Sequence, residues 1–191
     1  MVDTIRILGI DPGSRITGYG ILESDGSTSR YIDSGCIRTE SVNFSDRLNE
    51  IYTRVRTLVT EFEPQQLAIE KVFVHRNADS ALKLGQARAA AICGTFGSQL
   101  ELFEYAARAI KQAVVGRGAA DKGQVQHMVK AILMLNTLPL QDEADALATA
   151  ICHAHSYSLT NALLCGSQDL KGFSRRPTRK SSRAAWRRTA G

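Results

Sequence analysis

Nine residues near the amino terminus, Ile5-Arg6-Ile7-Leu8-Gly9-Ile10-Asp11-Pro12-Gly13, constrain the chain more than any other stretch. A run this apolar suits a strand in the middle of a sheet, covered on both faces. Pro12-Gly13 stops it at once, which leaves Asp11 at the strand's carboxyl end, where α/β sheets place their ligands. An aspartate before Pro-Gly also serves as a turn former that bonds its own backbone. This stretch alone leaves both roles open.

The rest of the chain supplies partners for that strand. Ile16–Leu22 and Ser29–Thr39 read as two further strands, joined by a hairpin turn at Asp25-Gly26. From Ser45 the apolar period changes to three and four (Leu48, Ile51, Tyr52, Val55, Leu58, Val59, Phe62), which marks an amphipathic helix capped by Ser45 and ended before Pro64. Gln66–Val74 is a fourth strand, interrupted by Glu70 and Lys71. Asn77–Leu100 has an alanine-rich helical rhythm, suited to a core or subunit contact. Leu100–Tyr105 is a short fifth strand, Ala106–Val115 a helix, and Gly116–Gly123 a flexible loop carrying Lys122. A helix over Gln124–Leu135 and a last one from Gln141 to about Tyr157 complete an α/β chain with a five-stranded mixed sheet flanked by helices.

Charge separates the body from the end of the chain. The net charge of +5 comes from 24 basic and 19 acidic residues, and eight of the basic ones lie from Lys171 onward, where there is no acid. Residues 1–170 are therefore slightly acidic, with 16 basic against 19 acidic. The expected organisation is one domain over residues 1–160 and a disordered basic tail over 166–191, too poor in apolar residues to order itself. The four cysteines include no Cys-x-x-Cys pair, which argues against a disulfide framework or a zinc knuckle. Cys152-His153-Ala154-His155 looks metal-like, but on a helix these side chains fan around the axis. No apolar segment approaches the ~20 residues of a membrane helix, and Met1–Asp11 lacks the pattern of a signal peptide, so the expected location is cytoplasmic with no membrane contact.

Acids supply the candidate chemistry. Asp142 and Asp145 are three apart at the start of the last helix and share one face, whereas Glu143 is turned about 100° away. First-turn acids also complement the helix dipole. If the first and fourth strands are neighbours, however, Asp11 and Glu70 lie side by side and the last helix can bring Asp142 and Asp145 over them. Four such carboxylates repel one another unless a cation intervenes, and oxygen ligands without His or Cys favour Mg²⁺, with Mn²⁺ as a substitute. Two such ions about 4 Å apart are a machinery for phosphodiester hydrolysis.

The element order resembles the ribonuclease H-like fold, and the segments are similar to those of the RuvC family of Holliday-junction resolvases. The residues that carry the resemblance are Gly9-Ile10-Asp11-Pro12-Gly13 with Thr17-Gly18-Tyr19-Gly20, Ile69-Glu70-Lys71-Val72-Phe73, and Asn77-Ala78-Asp79-Ser80-Ala81-Leu82-Lys83-Leu84-Gly85-Gln86-Ala87-Arg88. Glu104-Tyr105-Ala106, Lys111-Gln112-Ala113-Val114-Val115-Gly116, Lys122-Gly123-Gln124-Val125-Gln126-His127-Met128-Val129 and Asp142-Glu143-Ala144-Asp145-Ala146-Leu147-Ala148 extend it over roughly residues 5–155.

The resemblance implies a homodimeric, metal-dependent endonuclease of recombination and repair that nicks two opposed strands of a four-way DNA junction symmetrically. It implies Asp11, Glu70, Asp142 and Asp145 as catalytic ligands of two Mg²⁺ ions. Phe73 is implied as the aromatic that stacks near the crossover, and Arg76, Lys111 and Lys122 as basic groups facing DNA. The alanine-rich helix corresponds to the dimer contact, and the RuvA and RuvB branch-migration complex is the implied partner. His75 lies beside the site and is a candidate for proton transfer. The basic tail is not part of the family pattern. A strand ending Gly-Ile-Asp-x-Gly also resembles the phosphate loop of sugar-kinase and chaperone-type ATPases, which enclose a nucleotide between two such domains. A ribonuclease H acting on hybrids and a non-catalytic junction binder are the remaining alternatives.

Overall fold

The computed structural model describes residues 4–72 and 77–171, with side chains to residue 157. The strands are β1 (Ile5–Asp11), β2 (Ile16–Ser24), β3 (Ser29–Arg38), β4 (Gln66–Glu70) and β5 (Glu101–Tyr105). They form one sheet in the order β3-β2-β1-β4-β5. The first three are antiparallel, whereas β4 and β5 run parallel to β1. This is the expected five-stranded mixed sheet, with β1 at its centre.

The hairpin between β2 and β3 forms for the reason its sequence gives. Asp25 accepts the backbone N–H groups of Ser27 at 2.8 Å and Thr28 at 2.7 Å, and Gly26 takes the left-handed φ of 87° that the turn needs.

Helices cover both faces. Leu8, Ile10, Ile21, Leu67 and Ile69 pack with Ile51, Val55 and Leu58 of α1 (Phe44–Phe62) and with Ala87 and Ala91 of α2 (Ala78–Cys93). On the other face Ile7, Leu22 and Ala68 pack with Ile110 and Val114 of α3 (Ala107–Val115), Val125 and Val129 of α4 (Lys122–Ile132), and Leu147 and Ile151 of α5 (Gln141–Lys171). Strand side chains alternate between faces. Because Ile7 and Ala68 belong to the α5 side, Asp11 and Glu70 project from that same side.

α5 lies unusually close to the sheet, and two glycines make this possible. A Cβ on Gly18 would stand 1.9 Å from the Asp142 carbonyl oxygen, and one on Gly9 would stand 2.3 Å from that of Ala146. Both obstacles are backbone, so neither can swing away. Gly18→Ala is expected to cost at least about 1–3 kcal/mol of stability, read as a lowered midpoint in urea unfolding. Gly85→Ala, inside α2 with nothing within 4 Å of its Cβ, is expected to gain up to about 1 kcal/mol instead. Equal effects at the two positions would remove the steric account of α5 docking.

Several boundaries differ from the sequence expectation. α1 starts at Phe44 after Asn43 rather than being capped by Ser45. β4 ends at Glu70, not Val74, so the acid closes the strand instead of interrupting it. α2 stops at Cys93 because Gly94 and Gly97, the latter at φ 92°, follow. α4 begins at Lys122 with a capping box in which Asp121 accepts the Gln124 N–H, so Lys122 sits in a first helical turn and not in the glycine-rich loop. The helical backbone of α5 reaches Lys171, into the stretch read as tail, and no proline lies between Gln141 and Pro177.

Residues Met1–Leu159 form one compact unit. Of the second, Thr160–Gly191, the backbone is described as far as Lys171. Among the described residues no helix is long and apolar enough to cross a membrane.

Candidate active site

Three elements bring four acids to one end of the sheet. β1 and β4 run parallel with Ile10 opposite Ile69, so the next residues, Asp11 and Glu70, are neighbours at adjacent strand ends. α5 enters above them and contributes Asp142 and Asp145 from its first turns. Asp11, Glu70 and Asp145 line one cleft of 270 Å³ together with Lys111 of α3 and Lys122 of α4. A second hollow of 240 Å³ opens from Asp11 and Glu70 toward Pro12, Lys71, Val72 and Leu84.

The electrostatics are those of crowded, half-buried carboxylates. Burial first, then the charges of Asp145, Glu70 and Asp142, push the Asp11 carboxyl up to about 8 from an ordinary 3.8. Glu70 is raised by burial and by Asp145. Asp145 is also raised: its Lys122 neighbour, Nζ to Oδ2 at 3.9 Å, works in the opposite direction but is outweighed by burial and Asp142. Asp142 lies toward β3, where burial and then its charge raise the Cys36 thiol. Among the described residues no three acidic, histidine or cysteine side chains are close enough to grip an ion as they stand. The acids share a cleft rather than a point.

Other side chains fix the frame around the cleft. Thr17 donates to the Gly13 carbonyl at 2.8 Å and accepts the Gly13 N–H at 3.3 Å, which holds the turn after Asp11. Arg88 pairs with Glu104 and donates to the Glu70 carbonyl at 3.4 Å, tying α2 to the end of β4. Glu143, the acid turned away from the site, accepts from Ser34 of β3 and from the Leu140 N–H at 2.9 Å, and so anchors the start of α5. Sequence reasoning assigns none of these roles. For Thr17 a signal is present, a polar residue four after Gly13 in an otherwise apolar strand.

In the Cys-His-Ala-His segment His153 faces the core, whereas His155 is exposed. His153 is buried, contacts the Tyr105 hydroxyl at 2.7 Å and donates through Nε2 to Gln66 at 2.7 Å. Burial pushes it down to about 4, so the ring is neutral near pH 7.

Of the sequence-derived site residues, Asp11, Glu70, Asp145, Lys111 and Lys122 meet in the cleft, and Asp142 stands beside them. Phe73, His75 and Arg76 lie outside the described residues.

Comparison with known proteins agrees with this architecture. A sequence profile described as crossover junction endodeoxyribonuclease RuvC matches residues 7–153. The crossover junction endodeoxyribonuclease RuvC of Photobacterium profundum is 56% identical over 157 residues, 82% of this chain and 91% of that protein. The protein of the same name from Pseudoalteromonas translucida is 60% identical over 150 residues, 78% of this chain and 86% of its own. Thermus thermophilus RuvC, solved in complex with Holliday junction substrate, superposes with a TM-score of 0.76 at 31% identity, covering 82% of this chain and 96% of its own. The yeast mitochondrial Holliday junction resolvase Ydc2 shares the fold, with a TM-score of 0.59 at 13% identity. With a ribonuclease H-like sheet, its acids gathered at one end, and a profile match over residues 7–153, the chain belongs to the RuvC family of crossover junction endodeoxyribonucleases.

Proposed function

We propose that this protein resolves Holliday junctions by hydrolysing one phosphodiester in each of two opposed strands, with Asp11, Glu70, Asp142 and Asp145 as the catalytic metal ligands. The observation that carries the assignment is the convergence of these acids from β1, β4 and α5, with the Asp11 carboxyl pushed up to about 8 by its surroundings. A divalent cation would relieve that repulsion, and an all-oxygen donor set suits Mg²⁺, with Mn²⁺ as a substitute. When bound, a pair of such ions supplies an activated water and stabilises the leaving oxygen.

The chain's own residues do the remaining work. β1 and β4 are held in parallel register, so Asp11 and Glu70 keep their spacing as substrate enters. α5 is braced against Gly9 and Gly18 and anchored through Glu143, which fixes Asp142 and Asp145 above the sheet. Lys111 and Lys122 line the cleft as cations within reach of a phosphate entering it. Phe73 and Arg76 follow closely on Glu70 in the sequence and are assigned to the crossover and to DNA phosphates. The alanine-rich α2 is assigned to a homodimer contact that gives two cleavage sites per junction. The RuvA and RuvB complex is the corresponding branch-migration partner, and recombination and repair in the cytoplasm the setting.

The support from relatives is specific, since the T. thermophilus protein whose fold matches was solved with a Holliday junction bound. Metal dependence tests the assignment. A synthetic four-way junction should be cut in Mg²⁺ and bound but uncut in chelator, whereas cutting in chelator would overturn the four-acid assignment.

The basic stretch beyond Lys171 is assigned to non-specific attraction of DNA phosphates. Removing residues 172–191 takes away seven basic residues. It is expected to flatten the slope of log affinity against log salt, by about 0.9 for each phosphate that the shortened chain leaves unneutralised. An unchanged slope would leave the stretch without a role in DNA binding.

A further inference from the structure

Lys111 and Lys122 lie on one flank of Asp11, in α3 and α4, and the opposite flank carries basic residues with no assigned role. β2 starts and β3 ends at the same end of the sheet at which β1 delivers Asp11, because Asp11 is opposite Gly18 and Ile16 is opposite Arg38. Arg15 lies in the turn between β1 and β2, and Arg38 is the last residue of β3. Thr39 locks the two segments together, its N–H donating to the Arg15 carbonyl at 3.0 Å and its hydroxyl donating to the Ser14 carbonyl at 3.3 Å. Arg38 is two residues from Cys36, whose thiol feels the charges of both Asp142 and Arg38. It therefore projects from the α5 side of the sheet, the side of the acids.

Beyond Arg38 the surface continues as an open cleft of 680 Å³ between the β3 edge and α1, with Arg38 and Arg54 in its lining. The acids beside these arginines are fixed by hydrogen bonds to other groups but keep their charge. Glu50 in the same cleft accepts from the Ser41 hydroxyl and from the Glu40 N–H at 3.0 Å, and Asp33 accepts from the Tyr19 hydroxyl at 3.1 Å. Arg15, Arg38 and Arg54 are all exposed, and none makes an ion pair among the described residues. Glu40 and Glu50 are the acids of the lining, against Arg38 and Arg54 there, and Arg15 adds a third cation in the adjoining turn.

We infer that Arg15, Arg38 and Arg54 form a second phosphate track, which holds the DNA backbone on the β2–β3 flank while Lys111 and Lys122 hold it on the other. The ligand class is the phosphodiester backbone of a junction arm, read by charge and not by base sequence. Two cationic flanks on either side of the acids would fix the strand across the cleft at both ends. This inference rests on the junction-resolving function proposed above.

The test replaces the three arginines by glutamine in the full-length protein and measures junction affinity against salt, beside a control with Arg56→Gln and Lys130→Gln. Each arginine replaced should lower the salt slope by about 0.9, so the triple variant should fall by about 2 to 3 in slope. It should also bind at least about tenfold more weakly near 0.1 M salt, with the control close to wild type. A triple variant with wild-type slope and affinity would overturn the track while leaving the resolvase function standing. A control whose loss is two-thirds of the triple variant's, the ratio of the charges removed, would reduce it to net charge. A wild-type protein that fails to bind junctions at all would overturn the function and the track with it.

Discussion

Asp11→Asn is expected to lower junction cleavage by about three orders of magnitude or more, a loss of at least ~4 kcal/mol of transition-state stabilisation, while junction affinity stays within a few-fold of wild type. The substitution keeps the shape of the side chain at the carboxyl end of the central strand and removes the charge that a cation needs there. The proposed function assigns the phosphate contacts to other residues, chiefly Lys111 and Lys122, which line the cleft, so binding and chemistry should separate. Single-turnover cleavage and equilibrium binding on the same synthetic junction check this. Parallel losses in both would mean that Asp11 acts in folding or in DNA contact. Unchanged cleavage would remove it from the chemistry.

The same substitution is expected to stabilise the metal-free protein near pH 7. The folded-state pKa of Asp11 is raised to about 8 from 3.8, so between those values the folded chain holds a proton that the unfolded chain has lost. Stability then falls as pH rises through that window, by at most about 1.4 kcal/mol per pH unit. The full penalty is present above about 8 and absent below about 4. Asparagine removes it, so urea unfolding in chelator should give a shallower decline with pH and a gain of up to a few kcal/mol at pH 7. Mg²⁺ should narrow the gap by stabilising wild type and not the variant, by about 2.7 kcal/mol at a hundred times its Kd. A wild-type curve whose stability climbs steadily from pH 5 to 8, or Mg²⁺ that stabilises both proteins equally, would contradict the crowding of the acids.

Much of the site is legible in the sequence because its determinants are local. The apolar run and the Pro-Gly stop define β1 and the position of Asp11, and the alternation of side chains places Asp11 and Glu70 on one face once β1 and β4 pair. The spacing of Asp142 and Asp145 requires only that a helix begin near Gln141. What the sequence hides depends on contacts between distant segments. Gly9 and Gly18 read as ordinary strand glycines until α5 is seen lying against them. Glu143 reads as a surplus acid until Ser34, far away in sequence, meets it. Lys122 follows a glycine-rich stretch and reads as a loop residue, but the Asp121 capping box starts the helix there and gives it a defined place near Asp145. The sequence reading ends α5 near Tyr157, whereas its helical backbone runs on to Lys171.

The central claim is that one cluster of acids, presented by β1, β4 and α5, cuts four-way junctions. Purified full-length protein should be incubated with a synthetic four-way junction in Mg²⁺, beside linear duplex and RNA–DNA hybrid of the same sequences. The expected result is paired nicks at symmetric positions in two opposed strands of the junction, with the linear duplex and the hybrid left intact. Nicks in the linear duplex or the hybrid at a comparable rate, or no junction cleavage by a protein that is folded and binds Mg²⁺, would contradict it.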